Sequence, residues 1–413
     1  MSERYSIYLQ RRKLELVGTL WLRNTRGHIS SAFTDDAYWL GTPGAFALSP
    51  DLPLNQYPKT CKELFLCFQD CSPDRWGRVL LQRQERQHAR REARKPHALL
   101  ISDYLLRVQD CTRQGALRIS ADEGKSFLAE SGPESVPPLV SLPKLLRAAQ
   151  HVSQQTDSDA DLQLLVAPGA SLGGARPKAS VLGVNGELFL AKFPKPDDER
   201  DIPLWEYVTF QLARRAGLNT PDVQLQRIAN KSILLVQRFD RVCEQGGDRQ
   251  NLGRIPFLSA MSLLQAKDGE HSSYAEIAAA IQEEGASPFN DLRELWSRMV
   301  FNICVYNVDD HLRNHGFLRE AQGWRLSPVY DLENSYPGEK AAMLHTCMID
   351  EESVLDVNTA LEIAEFFRLR ASEAKERLAE IRRAVSFWRQ EAVRVNARPA
   401  EMAIMKEAYE YSL

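Results

Sequence analysis

The stretch NVDDHLRNHGFL, Asn307 to Leu318, gathers two aspartates, two histidines, an arginine and two asparagines directly after the apolar run LWSRMVFNICVY. An ordinary polar cap and loop has this make-up, and so does the floor of an active site. Asp309 and Asn314 are separated by four residues. At that spacing a phosphoryl-transfer site places a carboxylate beside the attacking hydroxyl and an amide oxygen on magnesium. Asp331 follows Asn314 by seventeen residues in SPVYDLEN and would offer the same hard cation a second oxygen ligand. By spacing alone the capped-loop reading and the catalytic one stand level. His311 and His315 raise a metal-ligand reading too, with hydrogen-bonding support for the loop as the simpler role.

Upstream lie the other parts such chemistry needs. A glycine-rich stretch, APGASLGGARPKAS, precedes two strands, ASVLGV and ELFLAKF, joined by Asn185-Gly186, a dipeptide that signals a hairpin. Lys192 ends the second strand, where a lone lysine ordinarily snorkels to solvent. Fourteen residues on, Glu206 lies on the amphipathic helix IPLWEYVTFQLARRAGL, closed by Gly217. A strand lysine held by a glutamate of the next helix is how kinases fix a phosphate-binding ammonium. Gly169, Gly173 and Gly174 allow backbone to approach a phosphate, and Lys178 adds charge. The glycines fit neither the P-loop pattern nor the kinase glycine triplet, so by themselves they read as a flexible connection.

The elements around these residues divide the chain. At 413 residues it predicts more than one domain. Residues 1–130 read as a small α+β domain: meandering strands turning at Asn24 and Gly27, then a helix from about Asp74 and a second in PHALLISDYLLRVQD. The segment 131–143, rich in proline and serine, reads as a linker opening a part that runs to 240, with a strand pair VQLQRI and SILLVQRF near its end. From about 250 the chain reads as helical, with one strand pair, HGFLRE and GWRLSPV, at the opening motif. The basic run Arg83–Lys95 reads first as a solvated helix face and second as a docking surface for an acidic partner or DNA.

Composition excludes several classes. The net charge of −3 rules out a chain that binds nucleic acid by bulk electrostatics. Seven scattered cysteines suit reduced thiols, and Cys61, Cys67 and Cys71 lack paired-ligand spacing for zinc. The absence of a signal-length or membrane-length apolar run predicts a soluble, cytoplasmic protein.

In order, SLGGARPKA, FLAKFP, WEYVTFQLARRAGLNTPDVQL, VQRFDR, NVDDHLRNHGFL and LSPVYDLENSYP resemble the HipA family of bacterial serine/threonine kinases. SPDRWGRVLL and CTRQGALRIS are similar to that family's N-terminal region. The resemblance implies a two-lobed protein-kinase-like α+β fold, with a small mixed α/β N-lobe, a mostly helical C-lobe and an added N-terminal α+β subdomain. Its parts would be 1–130, 131–240 and 241–413. The implied cofactors are ATP and Mg2+. Asp309 would be the catalytic base, with Asn314 and Asp331 on magnesium. Gly173, Gly174, Ala175, Lys178, Lys192 and His311 would meet the nucleotide, with Glu206 paired to Lys192. Gln237 to Phe239 would be the adenine hinge and Asp240 would lie near the ribose. Ser171 would be the site of silencing autophosphorylation.

The implied role is that of a growth-arresting toxin that phosphorylates a protein; aminoacyl-tRNA synthetases are targets in the family. The implied partner is a small helix-turn-helix antitoxin of the HipB type, through which DNA would be met, with no membrane involved. Arg176 and Pro177 in the loop, and Asp310 beside the base, depart from the best-known members. Two other classes share the motifs: a kinase-shaped binding module acting as corepressor, and a small-molecule kinase of the aminoglycoside or choline type.

Overall fold

The computed structural model describes residues 2–130, 136–169, 174–242, 253–267, 270 and 272–412. The chain forms two compact units that cut across the three expected segments: Met1–Asp197 with Leu235–Leu258, and Asp198–Leu234 with Ser259–Leu413.

The first unit opens on strands β1 (Ser2–Gln10), β2 (Leu14–Thr25) and β3 (His28–Asp35). Arg26 and Gly27 turn the chain between the last two with positive φ of 54° and 86°. With β4 (Lys59–Cys61) and β5 (Leu117–Ser120) they make an antiparallel sheet ordered β4-β3-β2-β1-β5. Its alternating pattern buries Ile7, Leu9, Leu20 and Phe33 completely. Helices α1 (Ala37–Leu40), α2 (Leu66–Asp70), α3 (Arg75–Arg91) and α4 (Ile101–Arg107) accompany it, and the Phe33 ring lies 6.0 Å from Phe68 of α2. Cys67 and Cys71 are buried thiols, and desolvation pushes Cys71 up to about 12.

Two sequence expectations change here. The helix that follows the expected linker begins two residues early: α5 (Leu142–Gln154) takes Leu142 and Pro143 into its first turn, where a missing N–H does no harm. A further helix, α6 (Asp159–Gly169), runs through Pro168 and Gly169, residues that read as loop. It forms because Leu162 and Leu165 are buried and Val166 packs against Leu81 and Tyr104. In the basic run Arg83 pairs Asp157 and Arg91 pairs Asp159, while Arg86, Arg90 and Arg91 stay exposed on a solvated helix face and Lys95 is exposed just past its end.

Next come β6 (Lys178–Leu182) and β7 (Leu188–Lys192), an antiparallel hairpin with Gly186 at φ 90°. Helix α7 (Ile202–Arg215) follows, then β8 (Val223–Ile228) and β9 (Lys231–Gln237). Ala229 and Asn230, at φ 47° and 60°, give the β8–β9 turn the hand that matches strand twist. The unit boundary falls inside β9.

Directly after β9 lies a buried ionic network of the first unit. Asp240, 1% exposed, accepts from Arg238 Nε at 2.7 Å, Arg241 Nη1 at 2.7 Å and the Gly115 N–H at 2.8 Å. Gly115 needs its left-handed φ of 74°, and a Cβ there would stand 3.2 Å from the Phe257 nitrogen. Arg238 and Arg241 also donate to the carbonyls of Thr112 and Arg113. Asp110 holds Arg118 and Arg254, the latter on the short pair β10 (Arg241–Val242) and β11 (Gly253–Arg254).

The second unit is mostly helical: from Ser259, the last residue of β12 (Phe257–Ser259), the chain runs into α8 (Ala260–Leu263), then α9 (Tyr274–Glu284), α10 (Pro288–Val305), β13 (Gly316–Arg319) and β14 (Trp324–Leu326). Helices α11 (Val357–Glu362), α12 (Ala371–Val385), α13 (Trp388–Arg394) and α14 (Pro399–Tyr409) end it. Leu295, Trp296, Met299 and Ile303 of α10 are fully buried. Trp205 of α7 donates to Glu401 at 3.0 Å, and Trp388 stacks on Tyr409 at 5.4 Å. The expected run of helix is interrupted over 337–356, where Met343 bridges Val354 and Ile349 bridges Glu352. No helix among the described residues is long and apolar enough to cross a membrane.

Removing the Asp240 charge strands two buried guanidinium groups. Asp240→Asn should therefore lower unfolding stability by about 3–5 kcal/mol, read as a fall in the urea midpoint at constant slope. An unchanged midpoint would show that the network contributes nothing to folding.

Candidate active site

Helix α10 ends at Tyr306, left-handed at φ 58°, and the Asn307 N–H closes back on the Asn302 carbonyl at 2.9 Å. The two aspartates that follow part company. Asp310 is 1% exposed; its carboxylate accepts from Tyr274 Oη at 2.6 Å and from the backbone N–H groups of His345 and Thr346 at 3.2 and 3.4 Å. Its carbonyl takes the Thr346 hydroxyl at 2.6 Å and lies 3.2 Å from His315 Nε2. Asn302 Nδ2 donates to the same Tyr274 oxygen at 3.1 Å, and Asn307 Nδ2 donates to Asn302 at 3.1 Å. This buried chain anchors the loop from within.

Asp309 faces the other way. Its side chain is 54% exposed, it lies 3.5 Å from Lys340 Nζ, and its carbonyl accepts from Asn314 Nδ2 at 2.8 Å. A turn over Leu312–Asn314, closed by Asn314 N–H on the His311 carbonyl at 2.7 Å, sets that reach. Asp331 has a positive φ of 56°, an uncommon conformation away from glycine, and such strain collects at functional positions. Asn314, Asp331, Asn307 and Asp310 line one cavity of about 20 Å³, enough for roughly one water-sized occupant. An amide oxygen and a carboxylate on one small cavity suit magnesium, which takes few protein ligands and completes its shell with phosphate and water. Among the described residues no cluster of three or more His, Cys, Asp or Glu forms a metal cage.

The histidines support rather than ligate. His315 is buried, its ring edge-on to Tyr274 at 5.1 Å, and desolvation holds it neutral by pulling it down to about 3. His311 meets His345 edge-on at 5.7 Å.

The nucleotide-facing candidates of the first unit are also placed. Lys178 and Lys192 are buried and directly opposite in the β6–β7 ladder, so both stems lie on one face of the hairpin. Gly174, at φ 88°, donates its N–H to Asp74, the N-cap of α3, and its carbonyl accepts from the Trp76 N–H at 3.3 Å. Trp76 Nε1 donates to the Lys178 carbonyl at 2.9 Å, so one turn of α3 grips both sides of exposed Ala175. Asp74 and Trp76 are positioning residues that the residue-by-residue reading missed; their only signal was the SPDRWGR segment far upstream. Gln237 and Phe239 are half-buried, and the Arg238 N–H between them is taken by Leu188. Glu206 is buried on α7 in the second unit. Ser171 and Gly173 lie outside the described residues.

Asp240 lies buried among arginines. Burial pushes its carboxyl up, but Arg238 and Arg241 outweigh that and hold it well below the usual carboxylate range. This carboxylate is enclosed by its own arginines and braces the stretch after β9.

Burial raises Asp310 to about 7, against the hydrogen bonds from Tyr274 and the backbone that favour its charged form. Between about pH 4 and 7 the folded state then holds a proton that the unfolded state has lost, so this group's contribution to stability falls as pH rises. The span corresponds to on the order of 4 kcal/mol. Asp310→Asn should flatten that slope, as urea midpoints at pH 5 and pH 8 would record. Parallel slopes in the two proteins would mean that Asp310 is already ionised in the fold.

The HipA-like C-terminal domain matches residues 170–388, more than half of the chain, and the HipA N-terminal domain matches residues 6–103. A putative kinase, Y4mE of Sinorhizobium fredii, is 25% identical over 181 residues, covering 39% of this chain and 41% of that protein. The serine/threonine-protein kinase toxin HipA of Shewanella oneidensis is 25% identical over 226 residues, covering 48% and 51%. The chain thus spans about half the length of the curated relatives it matches. A solved complex of Shewanella oneidensis HipA, HipB and operator DNA contains a chain with the same fold: TM-score 0.69 at 17% identity, covering 98% of this chain and 95% of that one. The fold is a two-lobed kinase-like α+β fold with an added N-terminal subdomain. From its two domain matches, its fold and its loop motifs together, the chain belongs to the HipA family.

Proposed function

We propose that this chain is an ATP- and magnesium-dependent serine/threonine-protein kinase of the HipA type. The observation that carries the reading is the opposed pair on the loop: Asp310 buried and bonded, Asp309 exposed, with Asn314 and Asp331 on one cavity beside them. Related proteins named as kinases support it.

ATP with magnesium, when bound, supplies the phosphoryl group and the neutralising charge. Asn314 and Asp331 would hold the ion through oxygen. Lys178, Lys192 and the Gly174 region would face the phosphates, with Glu206 paired to Lys192 and backbone groups of Gln237 and Phe239 on the adenine. Asp309 takes the proton of the attacking hydroxyl as its oxygen bonds to phosphorus, while the bond to the ADP oxygen breaks and its electron pair leaves with ADP. The Asn314 bond to the Asp309 carbonyl keeps base and ion ligand in one frame.

The finer reading follows the family. The acceptor is a serine or threonine of a cellular protein, an aminoacyl-tRNA synthetase being the model target, and its modification arrests growth. Phosphorylation of Ser171 in the glycine-rich loop silences the enzyme. The partner is a small helix-turn-helix antitoxin of the HipB type, through which DNA is met; the solved relative assembled with HipB and operator DNA supports this.

Asp309→Asn should lower label transfer from ATP by about 10²–10⁴-fold while leaving the unfolding midpoint unchanged, because the side chain is exposed. Transfer at the unaltered rate would remove Asp309 from the reaction. Chelation by EDTA should stop transfer and added magnesium restore it. In Ser171→Ala, mass spectrometry should find the chain's own phosphate missing. Phosphate found at another residue, with Ser171 unmodified in the parent chain, would overturn that regulation.

A further inference from the structure

Asp309 opens onto a groove of about 670 Å³ in the second unit, lined also by Glu270, Lys340, Met343, His345 and Glu351. Lys340 is the cation of this groove that reaches the base, Nζ to Oδ2 at 3.5 Å. Both side chains are about half exposed, at 46% and 54%. A pair so open to water contributes almost nothing to folding, so stability does not account for the care with which it is placed.

That care lies in the backbone. The Lys340 carbonyl accepts from Tyr306 Oη at 2.9 Å, and its N–H donates to the Tyr336 carbonyl at 3.4 Å. Tyr306 is itself fixed: it caps α10, is 1% exposed and meets the Tyr411 ring edge-on at 5.1 Å. The Tyr306 carbonyl takes the Ser335 N–H at 3.0 Å, and the Val308 carbonyl takes the His345 N–H at 3.2 Å. The segment from 335 to 345 is thus stitched to the residues that lead into Asp309. Lys340 and Asp309 hang from one rigid frame, although thirty-one positions separate them in the chain.

A long lysine on a mobile loop would visit many partners, whereas one whose backbone is tied on both sides is confined to a short arc. Asp309, held at its carbonyl by Asn314, has its remaining freedom in the side-chain torsions. The ammonium meets one carboxylate oxygen, Oδ2, and limits these torsions.

We infer that Lys340 is a positioning residue for phosphoryl transfer: it holds the Asp309 carboxylate toward the incoming hydroxyl. As the hydroxyl oxygen bonds to phosphorus, its proton passes to the free oxygen of Asp309, and the bond to the departing ADP oxygen breaks. Lys340 exchanges no proton and keeps the carboxylate in line throughout. The assignment rests on the kinase reading of Asp309.

The test uses the full chain, γ-labelled ATP with magnesium, and casein as the protein acceptor, with label on the chain itself measured in parallel. Lys340→Met should lower kcat about ten- to a hundred-fold, since small losses of alignment are costly to rate, with the KM for ATP and the unfolding midpoint unchanged. Lys340→Arg should recover most of the rate, because it restores a cation on the same frame. A methionine variant within about twofold of the parent kcat, or one whose whole loss lies in the KM for ATP, overturns the assignment. Asp309→Asn run beside it separates the two readings. Transfer surviving in that variant takes both residues out of the reaction. Transfer lost there but untouched in Lys340→Met removes Lys340 alone, and no transfer by the parent chain overturns both.

Discussion

The loop that follows α10 depends on one buried acid. Asp310 sits inside the second unit against Tyr274 and two backbone N–H groups. Consecutive residues in an extended stretch turn opposite ways, so drawing Asp310 inward turns Asp309 outward. A glycine at 310 would leave the loop free to roll, and the exposed carboxylate would lose its direction. The cost of burying an acid is met by three donors and a pKa near neutrality. The loop therefore gains a fixed facing without a full buried charge at acidic and neutral pH.

The first unit solves a different problem with a similar device. The backbone at Gly174 must be open yet not collapse. The N-terminal turn of α3 holds it from outside: Asp74 takes the Gly174 N–H, and Trp76 bonds the Gly174 and Lys178 carbonyls. Asp240 does the same for the stretch after β9, tying Arg238 and Arg241 to the Gly115 turn. The N-terminal α+β part is thus a brace built into the β6–β7 hairpin and the stretch after β9. This explains why the two compact units do not follow the boundaries that composition drew.

Local chemistry was legible wherever neighbours along the chain decide it. Asn185-Gly186 makes its hairpin, Gly217 closes α7 at φ 76°, and the polar run after α10 begins where that helix ends. Misreadings arose where a distant contact overrode a local signal. Pro168 and Gly169 look like loop but finish α6, because Leu162 and Leu165 are buried. Residues 337–356 were taken into a helical half, yet they form bridges and turns stitched to 306–310. Asp240, whose type and position suit a ribose, has its oxygens held by Arg238 and Arg241 beside it and by the Gly115 N–H 125 positions away.

By itself the sequence determined the residue types, their order and the local turns: which carboxylates and amides share a loop, which lysine ends a strand, which glycines permit left-handed backbone. Only the tertiary structure decided which of two adjacent aspartates faces solvent, and which of several cations meets it. The reason is that exposure and ion pairing depend on segments brought together through space. Lys340 and Asp309 are neighbours because Tyr306 and Tyr336 hold the intervening chain, and no periodicity in the sequence records that contact.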